Sequence, residues 1–253
     1  VMKAANERAA AGGDVLHMEV GQPSTPAPRA VVAAAKAALD IDRIGYTDAL
    51  GIPALREAIA SHYKVYYAVA VPAERIVVTT GSSGAFLLAF LSAFDPGDRV
   101  GVVEPGYPAY RNILSALGVE PVALPARGEC DFKPTAALLA SAGRLDGLLV
   151  ASPANPTGTM IDHGGLTALV RASAATGTRL IVDEIYHGIT YHGRAETVLA
   201  VDPQTLVINS FSKYFSMTGW RLGWMVVPED LMRSVECLAQ NLFISPPALS
   251  QQA

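Results

Sequence analysis

The sequence predicts a three-layer α/β fold in which helices cover both faces of a mostly parallel sheet. Three observations predict it. Short runs rich in β-branched residues alternate with longer segments typical of helices. The strand-like runs are almost continuously apolar, which is typical of strands that are buried on both faces. Polar and glycine-rich residues directly follow these runs, and the sites of parallel sheets lie at the carboxyl ends of strands.

The elements are predicted in chain order from residue 75 onward. Residues 75–79 form the first strand, because a β-branched run lies between Pro72 and Gly81. The apolar residues 83–94 predict a buried helix that ends at the turn DPGD, residues 95–98. The further predicted strands are 99–103, 119–124, 147–151, 179–182, 205–208 and 224–227, and the further predicted helices are 108–117, 134–142 and 166–176. Residues 1–28 end in a proline-rich stretch and are predicted to form an arm that crosses the domain.

The composition predicts a protein with a large apolar core. Of its 253 residues, 51% are hydrophobic and 17% are charged, and the formal net charge is −4. This balance argues against a surface for nucleic acid or for an anionic membrane. The longest apolar run, residues 85–94, is too short to span a bilayer, and no signal segment opens the chain. Two distant cysteines, Cys130 and Cys237, favour a reducing compartment, so we expect a cytoplasmic protein.

One predicted helix begins with residues that could bind an anion. Ser82 and Ser83 follow Gly81, so free backbone amides and two hydroxyls would lie together at the helix start. An ordinary helix cap is the alternative. Ser210 and Arg221 favour the anion site, because they add a hydroxyl and a guanidinium group to the same edge of the sheet.

The loop SFSKYFSMTGWRLGW, residues 210–224, carries a single lysine between two strand-like runs. The amine of Lys213 could form a Schiff base with a carbonyl if burial and the charge of Arg221 lower its pKa. A solvated surface lysine is the alternative, although the buried flanking strands argue against it.

An acidic residue, Asp183, follows the predicted strand 179–182, where a buried charge needs a partner. A protonated pyridine nitrogen would be such a partner, and a metal ion or a helix N-terminus are the alternatives. His187 lies near, but the sequence shows no cluster of His, Asp and Glu at metal-ligand spacing. We expect His187 to be structural.

Three further side chains follow strand ends and could contact an aromatic ligand. Tyr186 and Asn155 could donate hydrogen bonds to a phenolate oxygen, and Tyr107 could stack on a ring. Each residue alone is more often a packing residue than a ligand. Together with the anion site, the lysine and the carboxylate, they fit a ligand with a phosphate, an aldehyde, a pyridine nitrogen and a phenolic oxygen. That ligand is pyridoxal 5′-phosphate.

Seven stretches of the sequence resemble the class I and II aminotransferases of the pyridoxal-phosphate fold type I, the aspartate-aminotransferase-like family. They are GYT (45–47), GIPALR (51–56), DPGD (95–98), PGYPAY (105–110), SPANPTG (152–158), DEIY (183–186) and the loop 210–224. The resemblance covers almost the whole chain, and the last three stretches together are highly specific. Ala154 departs from the common pattern, which has an asparagine there, but the functional Asn155 is retained.

The resemblance implies a role for each candidate residue. Lys213 would be the Schiff-base lysine and proton shuttle, and Asp183 would be the partner of the ring nitrogen. Tyr186 and Asn155 would bind the phenolic oxygen, and Tyr107 would stack on the ring. The phosphate would be bound by Ser82, Ser83, Ser210, Ser212 and Arg221.

The resemblance also implies how subunits and domains contribute. Tyr46 would reach across a homodimer to the phosphate bound by the partner subunit, and the backbone of Gly21 would line the substrate pocket together with Asn155. Residues 1–30 would form the arm and part of a small domain, and residues 31–253 the large domain. Family members are longer, so the rest of the small domain, with the arginine that binds the substrate carboxylate, is expected beyond residue 253.

The implied function is transfer of an amino group between an L-amino acid and a 2-oxo acid, without a nucleic-acid or membrane partner. A β-lyase, decarboxylase or synthase on the same fold is the first alternative. A non-catalytic pyridoxal-phosphate sensor of a transcription regulator is the second, and it would need a DNA-binding domain. A nucleotide-binding α/β domain is disfavoured, because the sequence has neither a GxGxxG nor a P-loop pattern.

Overall fold

A computed structural model describes residues 1–41 and 44–253 of the chain. Helices and strands alternate from Ile76 to Asp183, as the sequence predicts, and two further strands then follow without an intervening α-helix. In chain order the elements are α1 (Met2–Ala10), α2 (Arg29–Ile41), α3 (Pro53–His62), β1 (Ile76–Thr79), α4 (Gly81–Ala93), β2 (Arg99–Glu104), α5 (Ala109–Ala116), β3 (Glu120–Pro125), α6 (Ala136–Ser141), β4 (Gly147–Ala151), α7 (His163–Thr176), β5 (Arg179–Asp183), β6 (Leu206–Ser210), β7 (Gly223–Val226), α8 (Met232–Phe243) and α9 (Ala248–Gln252).

Every strand and helix predicted from residue 75 onward is present, and the ends differ by at most three residues. The largest difference is at α7, which begins at His163 because the side chain of Asp162 accepts a hydrogen bond from Gly165 N at 2.8 Å. Gly164 and Gly165 disfavour a helix, which is why the sequence predicts a later start, but the cap stabilises the first turn despite them. Within the described part of the chain, every helix is too short or too polar to span a bilayer.

The strands form one sheet in the order β1-β7-β6-β5-β4-β2-β3. The five strands β2 to β6 all pair in parallel, so the predicted mostly parallel sheet is confirmed. Strand β7 is antiparallel to both β6 and β1, and Ser210 pairs with Gly223. Because of this reversal, the loop between β6 and β7 returns to the edge at which the parallel strands end.

Apolar layers cover both faces of the sheet and confirm the three-layer arrangement. In β5, Leu180 and Val182 belong to the layer that contains residues of α3 and α7. The intervening Ile181 belongs to the opposite layer, which contains residues of α4, α5 and α8. This alternation follows from the two-residue period of a strand, and burial on both faces explains why the strand sequences are continuously apolar.

The N-terminal segment reaches the carboxyl edge of the sheet. Helix α1 buries none of its residues, and residues 12–28 contain no regular helix or strand. Thr25 Oγ1 lies 2.9 Å from Ser216 Oγ, in the loop between β6 and β7. The segment therefore crosses to the loop that carries Lys213.

Candidate active site

The carboxyl edge of the sheet gathers most of the predicted site residues. Asp183 ends β5, Ser210 ends β6, and Asn155 follows β4. Helix α4 begins two residues after β1, with Gly81. The antiparallel β7 brings the far end of the loop 211–222 back to the same edge, which explains why one loop supplies both a lysine and an arginine.

Asp183 is a buried carboxylate with only 3% of its surface exposed. Its Oδ1 accepts a hydrogen bond from Ile185 N at 3.0 Å, and its Oδ2 accepts one from the Tyr110 hydroxyl at 2.5 Å. Burial raises the pKa of Asp183 to about 6, and the two hydrogen bonds oppose that rise. Within residues 1–41 and 44–253, no basic side chain forms an ion pair with it. A protonated ring nitrogen would supply the missing positive charge.

Tyr110 contacts the predicted site residue Asp183 but is not among the residues predicted from the sequence. It is buried on α5, and its ring packs against Phe86, with 5.0 Å between the ring centroids, and edge-on against Tyr107 at 5.4 Å. It therefore connects the predicted stacking ring to Asp183. The available signal was the spacing of Tyr107 and Tyr110, because residues three apart at a helix start lie on the same face.

We expect Tyr110→Phe to move the acid limb of the pH–rate profile to higher pH by about one unit. The hydrogen bond from Tyr110 favours ionised Asp183, so its loss lets burial raise the pKa of the carboxyl group further above about 6. Asp183 is then protonated, and inactive as a counter-charge, over a wider pH range. The measurement is kcat/KM against pH, with Tyr66→Phe as the control. An unchanged acid limb would contradict this role.

Tyr186 and Asn155 lie side by side. Asn155 Nδ2 donates a hydrogen bond to the Tyr186 hydroxyl oxygen at 3.3 Å. Burial, and to a lesser degree the charge of Asp183, raises the pKa of Tyr186, so its hydroxyl keeps a proton to donate. Both residues line a cavity of about 410 Å³ between the segments 153–160 and 186–192. The two predicted ligands of a phenolic oxygen are therefore adjacent.

Lys213 extends towards the same group of residues. Its Nζ lies 5.9 Å from the centroid of the Tyr186 ring and donates a hydrogen bond to Gly21 O at 2.5 Å. Partial burial lowers the pKa of Lys213, and the positive charge of Arg221 lowers it further. An amine must lose its proton to attack a carbonyl, so this shift favours the chemistry that the sequence predicts.

The start of α4 and Arg221 form a cradle of positive potential. Gly81 has φ +70°, and a Cβ atom there would lie 2.5 Å from Arg221 Nη2. A Cβ atom on Gly223 would lie 3.0 Å from Ser82 N, so glycine at both positions permits this close packing. The guanidinium group of Arg221 therefore lies against the start of α4, where the first amides of the helix and the residues Ser82 and Ser83 suit a phosphate.

Two other predicted phosphate ligands, Ser210 and Ser212, are hydrogen-bonded to each other. Ser210 Oγ donates its one hydrogen to Leu222 O at 3.1 Å, and it lies within hydrogen-bond distance of Ser212 Oγ, at 2.9 Å. Ser212 N in turn donates to Ser210 Oγ at 3.1 Å. Both serines are buried, and they hold together the two ends of the loop that carries Lys213.

The predicted residue Tyr46 lies apart from this group. It is 83% exposed, in the segment between α2 and α3. No hydrogen bond or ring contact of the described residues joins it to the site of its own chain. Tyr107, by contrast, is partly exposed beside Tyr110 and Asp183, where a stacking ring is required.

The residues present fit pyridoxal 5′-phosphate group by group. The cradle at Gly81 and Arg221 suits its phosphate, and the amine of Lys213 suits its aldehyde. The uncompensated Asp183 suits a protonated ring nitrogen, and the adjacent Tyr186 and Asn155 suit a phenolic oxygen. These four arrangements lie at one edge of one sheet.

Glu184 and His187 form a buried pair next to the site. Burial raises the pKa of Glu184 to about 8 and lowers that of His187 to about 4, so both are neutral at pH 7. His187 Nε2 donates to Ser152 O at 2.9 Å, and its Nδ1 accepts from the Tyr67 hydroxyl at 2.7 Å. These bonds give His187 the structural role expected for it.

We expect Glu184→Gln to flatten the pH dependence of stability between about pH 5 and pH 8. The pKa of Glu184 rises from 4.5 to about 8 on folding, so the folded protein holds a proton that the unfolded chain releases in this range. The free energy of unfolding therefore falls as the pH rises, and glutamine removes this contribution. Urea unfolding at several pH values measures it, with the exposed Glu57→Gln as the control. An unaltered slope would contradict a buried, protonated Glu184.

A mainly parallel sheet with helices on both faces, whose carboxyl edge carries this set of groups, is the architecture of the pyridoxal-phosphate enzymes of fold type I. Within that class, the chain belongs to the family of class I and II aminotransferases, whose model matches residues 13–253. The cofactor of this family is pyridoxal 5′-phosphate. The predicted family, fold and cofactor are therefore confirmed, whereas the roles of individual residues remain predictions.

Similar proteins include several aminotransferases. The chain is 52% identical over 256 residues to the valine–pyruvate aminotransferase of Mycobacterium tuberculosis, and the match covers 100% of this chain and 66% of that protein. A crystal structure of an aminotransferase from the same organism matches with a TM-score of 0.95 at 51% identity, over 99% of this chain and 66% of that one. Thermus thermophilus aspartate aminotransferase with maleate also has a TM-score of 0.95, at 31% identity over the same shares. The chain thus spans 66% of the length of each of these relatives, slightly less than two thirds.

Proposed function

We propose that the protein is a pyridoxal-phosphate-dependent aminotransferase that moves an amino group between an L-amino acid and a 2-oxo acid. The observation that carries this proposal is the position of Lys213, whose amine has a lowered pKa and lies beside Tyr186 at the sheet edge. The names of the relatives support transamination over elimination or decarboxylation. One of them is a valine–pyruvate aminotransferase, which makes valine and pyruvate the first substrates to test.

The proposed mechanism assigns proton movement to Lys213. When bound, the cofactor supplies an electrophilic aldehyde and a ring that accepts electrons. Lys213 Nζ would hold the cofactor through its aldehyde until a substrate amine takes that place. The neutral Lys213 amine would then accept the α-proton of the substrate and return it in the course of the transfer. Its lowered pKa increases the neutral fraction near pH 7, which a general base needs.

The other site residues would stabilise charges on the cofactor and fix its orientation. Asp183 stabilises a proton on the ring nitrogen, and Tyr110 and Ile185 N keep its carboxylate ionised and fixed in direction. Tyr186 and Asn155 hold the phenolic oxygen. Arg221 and the start of α4 anchor the phosphate, so that the reacting atoms stay within reach of Lys213.

A half-reaction tests the proposed activity. An amino acid added to the loaded enzyme should convert the bound cofactor to its amine form, and a 2-oxo acid should restore the starting absorbance. A panel of amino donors, beginning with valine, alanine and aspartate, then identifies the substrate. Release of ammonia or carbon dioxide without reversal by any 2-oxo acid would contradict transamination and favour a lyase or decarboxylase.

We also propose a homodimer in the cytoplasm, with Tyr46 contributed to the partner's site. The exposed position of Tyr46, away from the site of its own chain, supports the dimer. A two-fold interface would make the contact reciprocal. Cys130 and Cys237 are both free thiols, which fits the reducing conditions of the cytoplasm.

Mixed dimers should reveal the contribution of Tyr46 in trans. Lys213→Ala and Tyr46→Ala are each expected to be nearly inactive alone. Refolded together, half of the dimers are mixed, and each of these has one site with both residues intact, so we expect about a quarter of the wild-type activity. Mixed dimers that form but stay inactive would show that Tyr46 acts within its own chain or has no role.

A further inference from the structure

Helix α9 carries two consecutive buried polar residues, Ser250 and Gln251, with 8% and 5% of their surface exposed. Ser250 Oγ donates a hydrogen bond to Trp220 O at 2.7 Å. The next residue is Arg221, whose φ of +51° lies in the left-handed region that is costly for a residue other than glycine. The bond from Ser250 therefore supports the turn that presents Arg221 to the phosphate cradle.

The side chain of Gln251 joins α9 to the segment 47–52 and to the turn before α9. Its Oε1 accepts a hydrogen bond from Ile52 N at 2.9 Å, and its Nε2 donates to Thr47 Oγ1 at 3.0 Å and to Pro246 O at 3.1 Å. Both amide hydrogens and the carbonyl oxygen are thus used. Thr47 directly follows Tyr46, so this buried amide fixes the base of the exposed tyrosine.

The segment after Tyr46 is held from a second side. Val78 N in β1 donates a hydrogen bond to Leu50 O at 3.0 Å. Gly51, at φ +95°, packs so closely that a Cβ atom would lie 2.5 Å from Val78 Cβ and 3.1 Å from Gln251 Oε1. The backbone beneath Tyr46 is therefore fixed between the sheet and α9, while its ring stays exposed. Such preorganisation favours a contact with a partner, because little ordering remains to be done on binding.

We propose that Ser250 and Gln251 are positioning residues for two different active sites of the dimer. Ser250 acts on the site of its own chain, because it holds Trp220 and the turn at Arg221. Gln251 acts on the partner's site, because it holds Thr47 and the base of Tyr46. This inference rests on the proposed homodimer with Tyr46 in trans, and it makes α9 the element that connects the two sites.

Mixed dimers with one reporting chain and one silent chain test this assignment. The reporting chain keeps Lys213, the silent chain carries Lys213→Ala, and different affinity tags allow the mixed dimer to be purified. After titration with pyridoxal 5′-phosphate and reduction with borohydride, mass spectrometry counts the pyridoxyl group on Lys213. Only the site that contains the reporting chain's lysine contributes to this label, and no turnover is required.

The two substitutions should act from opposite chains. Gln251→Leu in the silent chain should raise the cofactor concentration for half-maximal labelling by about three- to tenfold, because, of the three bonds it removes, only the one to Thr47 holds the residue next to Tyr46, and it should have no effect in the reporting chain. Ser250→Ala should act only in the reporting chain. Thr47→Val removes the acceptor of Gln251 Nε2 with little change of shape, and it should repeat the Gln251→Leu pattern even if that variant folds poorly.

The controls separate a positioning role from general destabilisation. Gln252→Leu, on the exposed next residue, should have no effect in either chain. Equal effects of Gln251→Leu and Thr47→Val in both chains, or none in either, would overturn the inference while leaving the proposed aminotransferase intact. Tyr46→Ala in the silent chain should also weaken labelling. If it does not, the trans arrangement itself is wrong, and the inference is overturned with it.

Discussion

Lys213→Ala is expected to lower turnover by about four orders of magnitude, because one amine serves as both nucleophile and proton carrier. The ring of Tyr186 lies 5.9 Å from Lys213 Nζ, but its raised pKa keeps the hydroxyl protonated, so Tyr186 does not replace the amine as a base. Borohydride reduction followed by peptide mapping should place the pyridoxyl group on Lys213 in the wild type. The variant should lose that label and still bind some cofactor through Arg221 and the start of α4.

Lys64 provides the matched control, because it is an exposed lysine outside the sheet edge. Lys64→Ala should keep both the label and the turnover of the wild type. A pyridoxyl group found on Lys64 or Lys36 instead of Lys213 would show that the covalent site is wrongly assigned.

Asp183→Ala is expected to retain part of the bound cofactor but to lose turnover by about two to four orders of magnitude, equivalent to several kcal/mol of barrier. The alanine variant leaves the phosphate cradle intact, so binding persists. It removes the negative charge that keeps a proton on the ring nitrogen, so the ring accepts electrons less well. Single-turnover rates at saturating cofactor separate this loss from weaker binding.

Asp95→Ala is the control for Asp183→Ala, because Asp95 is an exposed carboxylate at the turn after α4. It should change neither cofactor binding nor rate. If chelators abolish activity while Asp183→Ala does not, Asp183 belongs to no cofactor site of this kind and a metal-dependent reaction is favoured.

The central part of the fold is predictable from sequence because its strands are buried on both faces. Runs such as 147–151 cannot be solvent-exposed, and the glycines and prolines around them mark the turns. Helix α2 also carries a signal, an alanine-rich segment with two valines near its start, although no element is predicted there from the sequence. Helix α1 is different, since it buries no side chain and leaves no apolar stripe to detect.

The strand-end residues of the site are predictable for a geometric reason, since parallel strands end at one edge. The contacts that orient them are not. Tyr110 and Asp183 are 73 residues apart, and Gln251 and Thr47 are 204 apart. These pairs meet only because α5 and α9 pack where they do, and no local pattern encodes that packing.

The reversed strand β7 also makes the lysine loop an exchangeable unit. Ser210 and Gly223 are registered partners on adjacent strands, so residues 211–222 enter and leave the sheet at neighbouring points. The distance between the two ends of the loop is therefore set by the pairing of β6 with β7, and it does not depend on the length of the loop. Grafting of the exposed loop residues from relatives should therefore alter the electrostatics around the amine without shifting a single strand.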